Sequence, residues 1–170
     1  ELHDRPASIS ASTVRTSVQA LELLEKLTLC ADRLPDLDDY QPRALIVEDD
    51  AISLRAAKHS LQLASLPAVA ESHGETALNT AARHNFDIFL LDIDIIGMSG
   101  PELCSRLRAM PQYADAPIIF VTTRHDYAGR IQSDLGGATD FISKPYPSVE
   151  LSLKSVIFLF RTLLAKSGLL

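Results

Sequence analysis

The sequence has no tryptophan, only two cysteines among 170 residues and an aromatic content of 6%. Cys30 and Cys104 are far apart, and neither has a cysteine or histidine neighbour at the spacing of metal ligands. This pattern argues against a disulfide framework and against a zinc site. We therefore expect two reduced thiols in a cytoplasmic protein.

A basic excess is also absent, because 22 acidic residues outnumber 16 lysines and arginines and the net charge is −6. This balance argues against direct binding of nucleic acid through a basic surface. No stretch approaches the ~18 uncharged apolar residues of a membrane span, and the N-terminus has no signal-peptide pattern. The chain begins with Glu1 rather than methionine, so we expect it to be a piece of a longer protein.

The length suits one domain with an appendage. Residues 1–42 are predicted to form a polar lead-in, an amphipathic helix and an acidic linker, with a domain boundary near residue 42. Ser12 or Thr13 is the candidate helix cap, and Pro35 is the predicted stop. The apolar stripe of this helix is predicted to consist of Ala20, Leu24, Leu27, Ala31 and Leu34, widened by Val14, Val18 and Leu21.

From residue 43 to the end at residue 170, short β-rich runs alternate with helical stretches, a pattern typical of βαβ units and a parallel sheet. Because the runs are almost continuously apolar, helices should cover both faces of the sheet. Strands are predicted near residues 43–47, 67–71, 87–91, 117–121 and 139–142. Helices are predicted near residues 51–65, 74–84, 100–109, 126–135 and 148–166.

The last predicted helix is apolar on every side at its centre, residues 156–160. A helix of this kind is buried on more than one face. We expect one face to cover the sheet and the other to meet a partner. That partner is either the N-terminal helix of the same chain or the helix of another copy, which leaves a homodimer through the N- and C-terminal helices open.

Polar residues follow the predicted strands at the point where each strand ends. Glu48 and Asp49 follow the first strand, Asp92 follows the third, Thr122 follows the fourth and Lys144 comes shortly after the fifth. In open parallel sheets the crevice beyond these strand ends is where ligands bind. Three acids, a hydroxyl and an ammonium are therefore predicted to share one pocket.

The acids of this pocket are oxygen ligands of the kind that Mg²⁺ takes, and the absence of sulfur and imidazole argues against zinc. Clustered carboxylates repel one another unless a cation or protons lie among them. With the metal bound, Asp92 can attack phosphorus and form an acyl phosphate. Lys144 supplies a compact positive charge for a phosphoryl oxygen, and the Thr122 hydroxyl can donate to another.

Residues 43–166 closely resemble the receiver domain of bacterial response regulators. Four segments in register account for the resemblance, each at a strand end: residues 46–50, 90–100, 121–123 and 141–145. The resemblance implies a doubly wound five-stranded parallel sheet in the flavodoxin-like order 2-1-3-4-5. The N-terminal helix and the long apolar C-terminal helix are additions to this α/β fold.

The resemblance also implies roles around the metal. Asp92 is expected to be the phosphoacceptor and a ligand of Mg²⁺. Asp49 is expected to bind Mg²⁺ directly, Glu48 to act through water, and the main-chain carbonyl of Asp94 to complete the protein ligands.

Further roles concern the phosphoryl group and its readout. Thr122 is expected to move toward the phosphoryl group, and the rotamer of Phe141 is expected to follow. Lys144 should bind the phosphoryl group and precede a cis proline at Pro145. Phosphorylation would then change a surface around the fourth helix and fifth strand of the domain.

Two features depart from the family pattern. Ile95 and Ile96 replace the usual Met-Pro pair, so a differently shaped loop is expected after the acceptor. Asp94 adds a carboxylate beside the site, and together with Arg124 it is expected to modulate the lifetime of the phosphoryl group.

The implied partner is a sensor histidine kinase or a histidine phosphotransfer protein, and no membrane is involved. The sequence leaves open a hybrid kinase, a stand-alone regulator and a fragment of a larger regulator. Two other functions are considered as well. Asp92 and Asp94 resemble the Asp-x-Asp start of haloacid dehalogenase-type phosphatases, and a scaffold that dimerises without being phosphorylated is the second alternative.

Overall fold

The computed structural model describes residues 11–37, 40–123 and 137–170. Its strands in chain order are β1 (Ala44–Val47), β2 (Ala68–Glu71), β3 (Ile88–Leu91), β4 (Asp94–Ile95), β5 (Met98–Ser99), β6 (Ile118–Thr122) and β7 (Asp140–Ser143). Five of them form one parallel sheet in the order β2-β1-β3-β6-β7, while β4 and β5 pair as a separate antiparallel hairpin. Counting only the sheet strands, this is the flavodoxin-like order 2-1-3-4-5. The predicted fold class is confirmed, and each sheet strand lies within one residue of its predicted bounds.

Five α-helices are described: α1 (Ala11–Leu29), α2 (Ala51–Leu63), α3 (Gly74–Arg83), α4 (Gly100–Arg108) and α5 (Ser148–Lys166). Two of them begin at side-chain caps. The Asp50 carboxylate accepts from the main-chain N–H of Ser53 at 2.8 Å, and Ser99 Oγ accepts from that of Glu102. Such caps satisfy N–H groups that the first turn of a helix leaves without partners.

The apolar core lies on both faces of the sheet, as the continuous apolar strands predicted. On one face the strands pack against α3 and α4 through residues such as Ala77, Leu103 and Leu107. On the other face they pack against α2 and α5, for example through Leu61 and Phe158. Because alternate residues of β1 and β3 point to opposite faces, both strands are buried throughout.

Helix α1 packs on the outer side of α5, so the second face of α5 meets the N-terminal helix of the same chain. Their shared apolar cluster is small and contains Leu23, Cys30, Ile157 and Leu164. Two predictions about α1 are corrected here. The helix begins at Ala11 rather than Thr13, and it ends at Leu29, before a 3-10 turn at Ala31–Arg33, rather than at Pro35.

The predicted apolar stripe of α1 is also wrong in part. Six of its eight residues are exposed, and the residues of the helix itself that are buried are Thr16 and Leu23. The reason is that the surface beneath α1 carries charged groups of β7 and α5, which a face with polar residues satisfies better than a purely aliphatic one. The exposed members of the stripe are Val14, Val18, Leu21, Leu24, Ala31 and Leu34.

The predicted helix near residues 126–135 and the predicted modulating residue Arg124 lie outside the described residues. Gly137, directly after that stretch, has a φ of 89°, a conformation that glycine adopts without strain. Within the described ranges, no helix combines the length and apolar character that crossing a bilayer requires.

Candidate functional site

The carboxyl ends of four strands bring the predicted site residues to one edge of the sheet. Val47 of β1 is in register with Leu91 of β3, so the residues that follow them, Glu48 and Asp92, are neighbours. The Asp92 N–H donates to the Val47 carbonyl at 2.9 Å, and the Lys144 N–H donates to the Thr122 carbonyl at 2.7 Å. Main-chain hydrogen bonds thus hold the strand ends that carry the polar side chains.

The Lys144 ammonium lies at the centre of this pocket. It donates to Glu48 Oε2 at 2.5 Å and to Asp92 Oδ2 at 2.7 Å. The three side chains are only 10%, 4% and 12% exposed. One cation therefore bridges two carboxylates under little solvent screening, and the Lys144–Pro145 peptide bond that follows is cis.

The charges of these groups depend on one another. Burial raises the pKa of Glu48 above its ordinary value, and the hydrogen bond from Lys144 opposes this effect. Burial by itself would lower the pKa of Lys144, but the hydrogen bonds to Asp92 and Glu48 outweigh burial and raise it. Lys144 is consequently charged at neutral pH and offsets the charge of the buried acids.

Two residues that the sequence analysis did not assign to the site also position its carboxylates. The Asp50 N–H donates to Glu48 Oε1 at 3.2 Å, while the Asp50 side chain caps α2. The hydrogen bond from Ser53 lowers the pKa of Asp50. An acid just before a helical stretch is a cap signal that the sequence does contain.

Gly100 is the second such residue. Its N–H donates to the Ile93 carbonyl at 2.8 Å. A Cβ at this position would lie 2.2 Å from the main-chain oxygen of Asp92 and 2.8 Å from Ile93 Cα. A residue without a side chain is therefore required for α4 to approach the acceptor loop this closely.

The loop after Asp92 forms a short antiparallel hairpin. Asp94 and Ile95 pair antiparallel with Met98 and Ser99, and Gly97 takes a φ of 82° in the turn. Asp92 Oδ1 accepts from the N–H groups of Ile93 and Asp94, the latter at 3.4 Å. An open depression beside the pocket is lined by Asp49, Ile93, Asp94, Ile95, Ile96 and Ser99.

The predicted residues therefore occupy four different positions. Glu48, Asp92 and Lys144 are in direct contact, while the exposed residues Asp49 and Asp94 line the adjoining depression. Thr122 is buried at the end of β6. Phe141 lies below the pocket, in the core face that includes Phe120, where the guanidinium of Arg15 covers its ring.

The candidate metal ligands of the site are oxygens of Asp49, Asp92 and Asp94. Among the described residues, no group of three or more histidine, cysteine, aspartate or glutamate side chains is arranged to hold a metal ion. Two carboxylates and a main-chain carbonyl, with water in the remaining positions, are nevertheless the usual share of protein ligands for Mg²⁺. Asp49 and Asp92 can provide the two carboxylates, and Asp94 can provide the main-chain carbonyl.

Comparison with known proteins identifies the family. The family model of the response regulator receiver domain matches residues 44–155. The chain belongs to this family. The match includes all four strand ends that form the pocket of this receiver domain.

Relatives of known sequence and structure agree with this assignment. The chain is 32% identical to the transcriptional regulatory protein YvrH of Bacillus subtilis over 72% of its own length and 51% of the relative. It is 32% identical to the heme response regulator HssR of Staphylococcus haemolyticus over 64% and 47%. The receiver domain thus spans about half the length of the curated relatives it matches.

Among solved structures, a putative response regulator from Chloroflexus aurantiacus matches with a TM-score of 0.66 and 28% identity over 71% of this chain and 98% of that one. The chemotaxis response regulator CheY4 of Vibrio cholerae matches with a TM-score of 0.63 and 27% identity over 70% and 98%. Nothing in these comparisons supports the alternative of a haloacid dehalogenase-type phosphatase.

Proposed function

We propose that this receiver domain accepts a phosphoryl group on Asp92 and uses Lys144 to hold it. The observation that carries the proposal is the buried bridge of Lys144 between Asp92 and Glu48. The pocket is open at one side, so a third negatively charged group can enter it. The lysine ammonium can then form an ion pair with that group in place of one of its two carboxylate partners. The phosphoryl group is such a third group.

The chemical step follows from this arrangement. An oxygen of Asp92 attacks phosphorus, the phosphorus–nitrogen bond of a phosphohistidine breaks, and its electron pair stays on the imidazole nitrogen. A neutral imidazole leaves when its other ring nitrogen carries a proton, and Asp92 becomes an acyl phosphate. Lys144 stabilises the charge that spreads over the equatorial oxygens in the loose transition state.

The residues fit Mg²⁺ as the cofactor. Asp49 and Asp92 would provide carboxylate ligands, the Asp94 carbonyl a third oxygen, and Glu48 a hydrogen bond to a bound water. When bound, the ion neutralises charge on the incoming phosphoryl oxygens. Because Lys144 occupies the Glu48 side of Asp92, the exposed side near Asp49 is where a further cation fits.

The readout is proposed to pass through Thr122 and Phe141. Thr122 is in register with Ser143 and accepts the main-chain N–H of Lys144, so its strand is tied to the one that carries the lysine. Its hydroxyl can donate to a phosphoryl oxygen, and the ring of Phe141 lies on the same pair of strands. The resulting change would appear on the surface around the fourth helix and fifth sheet strand.

The donor is proposed to be a sensor histidine kinase or a histidine phosphotransfer protein in the cytoplasm. The signal receiver domain of a histidine kinase from Syntrophus aciditrophicus matches this chain with a TM-score of 0.60 and 28% identity. A hybrid kinase is therefore a proposed context beside the response regulators. In either context the domain keeps the phosphoryl group on itself rather than turning over a separate substrate.

The deciding experiment is intact mass measurement after incubation with acetyl phosphate and Mg²⁺. We expect the parent to gain one phosphoryl group and Asp92→Asn to gain none. Asp115→Asn, a change of the same type at an exposed site, is the control and should behave like the parent. An unmodified parent would contradict the proposal and leave the scaffold alternative.

The lifetime of the phosphoryl group is proposed to depend on Asp94. Its carboxylate lies beside the acceptor and would repel or direct the water that attacks phosphorus. We expect Asp94→Asn to change the half-life of the phosphorylated protein in the presence of Mg²⁺. Equal half-lives of the two proteins would rule out this role for Asp94.

A homodimer through the terminal helices remains a proposal. Helix α1 of the same chain covers part of α5, and the exposed aliphatic residues of α1, Val14, Val18 and Leu21, offer a surface to a second copy. Sedimentation should show dimers that Leu21→Lys dissociates. A monomeric parent at high micromolar concentration would exclude this dimer.

A further inference from the structure

Helix α1 contacts the rest of the protein through several polar groups as well as through a small apolar cluster. Thr13 Oγ1 donates to Glu150 at 2.7 Å, Gln19 Nε2 donates to Asp140 at 3.1 Å, and Arg161 donates to Glu22 at 2.6 Å. The apolar cluster between α1 and α5 has four buried members and four partly buried ones. An interface of this kind is weaker than a domain core, so α1 is suited to reversible docking.

Both Gln19 and Arg15 of α1 contact β7, the strand that leads into the proposed phosphoryl site, and Arg15 makes the larger number of these contacts. The Arg15 guanidinium lies 4.4 Å from the ring centroid of Phe141, and its Nη2 donates to the Phe141 carbonyl at 3.2 Å. The same Nη2 lies 3.1 Å from Asp140 Oδ1. All three contacts are with β7, whose next residue after Ser143 is Lys144.

We propose that α1 is a regulatory strap that is docked when Asp92 is unphosphorylated and is loosened by phosphorylation, with Arg15 as the coupling residue. This inference rests on the proposed phosphorylation of Asp92. It adds a partner for the surface of β7 and α5, namely the chain's own N-terminal helix.

The physical reason is the position of Lys144 in the unphosphorylated protein. Its ammonium bridges Glu48 and Asp92. A phosphoryl group adds about one negative charge and three acceptor oxygens on the Asp92 side, so the lysine must turn toward them. Strand β7 has four residues and lies at the edge of the sheet, where β6 is its only partner among the described strands, so few main-chain hydrogen bonds prevent its end from following Lys144.

The contacts of Arg15 fit one position of β7. Hydrogen bonds of 3.1 to 3.2 Å are lost when the acceptor moves by about 1 Å, and the ring contact depends on the same strand. A shift of β7 therefore weakens the part of the interface that Arg15 provides. The ion pair between Glu22 and Arg161 joins α1 to α5 and does not depend on the position of β7.

Linkage makes the coupling reciprocal. If phosphorylation disfavours docking of α1, loss of docking must favour the phosphorylated form by the same factor. Arg15→Ala should therefore bind the phosphoryl analogue beryllofluoride, together with Mg²⁺, about five-fold or more tightly than the parent.

The chain contains its own reporter for docking. Cys30 is 5% exposed and lies in the cluster between α1 and α5, whereas Cys104 is fully buried in the core of the domain. Alkylation of Cys30 by N-ethylmaleimide reports release of α1, and alkylation of Cys104 reports opening of the whole domain. Mass spectrometry of peptides distinguishes the two thiols without any substitution.

The experiment compares alkylation rates of the full chain before and after treatment with acetyl phosphate and Mg²⁺, with intact mass recorded in parallel. We expect Cys30 to react about five-fold faster or more after phosphorylation, at an unchanged rate for Cys104. Arg15→Ala should react fast in both states. Glu22→Gln, the matched control, should retain the full difference between states.

Each outcome separates the two proposals. A phosphorylated parent whose Cys30 reacts at an unchanged rate would overturn the strap alone. Equal loss of the difference in Glu22→Gln and Arg15→Ala would overturn the role of Arg15. A parent that gains no mass would overturn the proposed function, and with it the strap.

Discussion

Replacement of Asp140 by asparagine should destabilise the protein by about 3–5 kcal/mol, because it removes the charged partner of a fully buried lysine. Lys154 is 0% exposed, and its ammonium donates to Asp140 Oδ2 at 2.6 Å. At that distance and an effective dielectric near 20, the attraction between the charges is about 6 kcal/mol. The folded variant can instead release the proton of Lys154, which costs about 5 kcal/mol at pH 7. The loss of stability in Asp140→Asn should therefore not exceed about that value.

The pH dependence of this effect has a definite sign. Burial lowers the pKa of Lys154, and the nearby Asp140 carboxylate opposes that effect. In Asp140→Asn the opposition is lost, so the pKa of Lys154 in the folded protein falls further. The unfolded chain then binds a proton that the folded chain does not, and stability rises with pH. The deficit relative to the parent should shrink between pH 7 and 10, by at most about 1.4 kcal/mol per pH unit.

Urea unfolding followed by circular dichroism at several pH values measures both quantities. Adding Lys154→Met to Asp140→Asn should recover most of the lost stability, because it removes the unpaired buried charge. Glu22→Gln, which breaks the more exposed pair with Arg161, should cost less than about 1 kcal/mol. If Asp140→Asn differed from the parent by less than about 0.5 kcal/mol at every pH, the assignment of Lys154 as a buried cation would be wrong.

Three further changes test the site. Gly100→Ala should cost about 1–3 kcal/mol or more in a thermal unfolding measurement and should slow phosphorylation, because its Cβ would meet the main chain at Asp92. Gly97→Ala should cost only about 1–2 kcal/mol from its positive φ, since no other described atom lies within 4 Å of that Cβ. Equal losses for the two would contradict the close approach of α4. Lys144→Met should abolish retention of the phosphoryl group and leave two buried carboxylates without a cation. The pKa of Glu48 then rises further in the folded state, because burial acts without the opposing lysine, so the stability deficit should be largest near neutral pH and should shrink toward pH 4; a deficit independent of pH would argue against the bridge.

The sequence by itself determined the sheet and the edge where the site lies. Each strand is a short run of apolar residues that must be buried on both faces. This pattern can be recognised without knowing which residues pack against the strand. For the same reason the polar residues that interrupt these runs, such as Glu48, Asp92 and Lys144, could be assigned to one edge before their contacts were known. The departure at Ile95 and Ile96 was also visible, although the shape of the β4–β5 hairpin was not.

Only the tertiary structure decided how the N-terminal helix is used. Its aliphatic residues predicted one buried face, but its hydrogen bonds to β7 and to Glu150 of α5 come from Thr13, Arg15 and Gln19. Arg15 and Phe141 are 126 positions apart, and no local pattern indicates that their side chains meet. The pairing of Asp140 with Lys154 is of the same kind, because a strand residue and a helix residue become partners only when β7 and α5 pack together. Periodicity records which residues share a face of an element, whereas the charges on the opposing surface decide which face is buried.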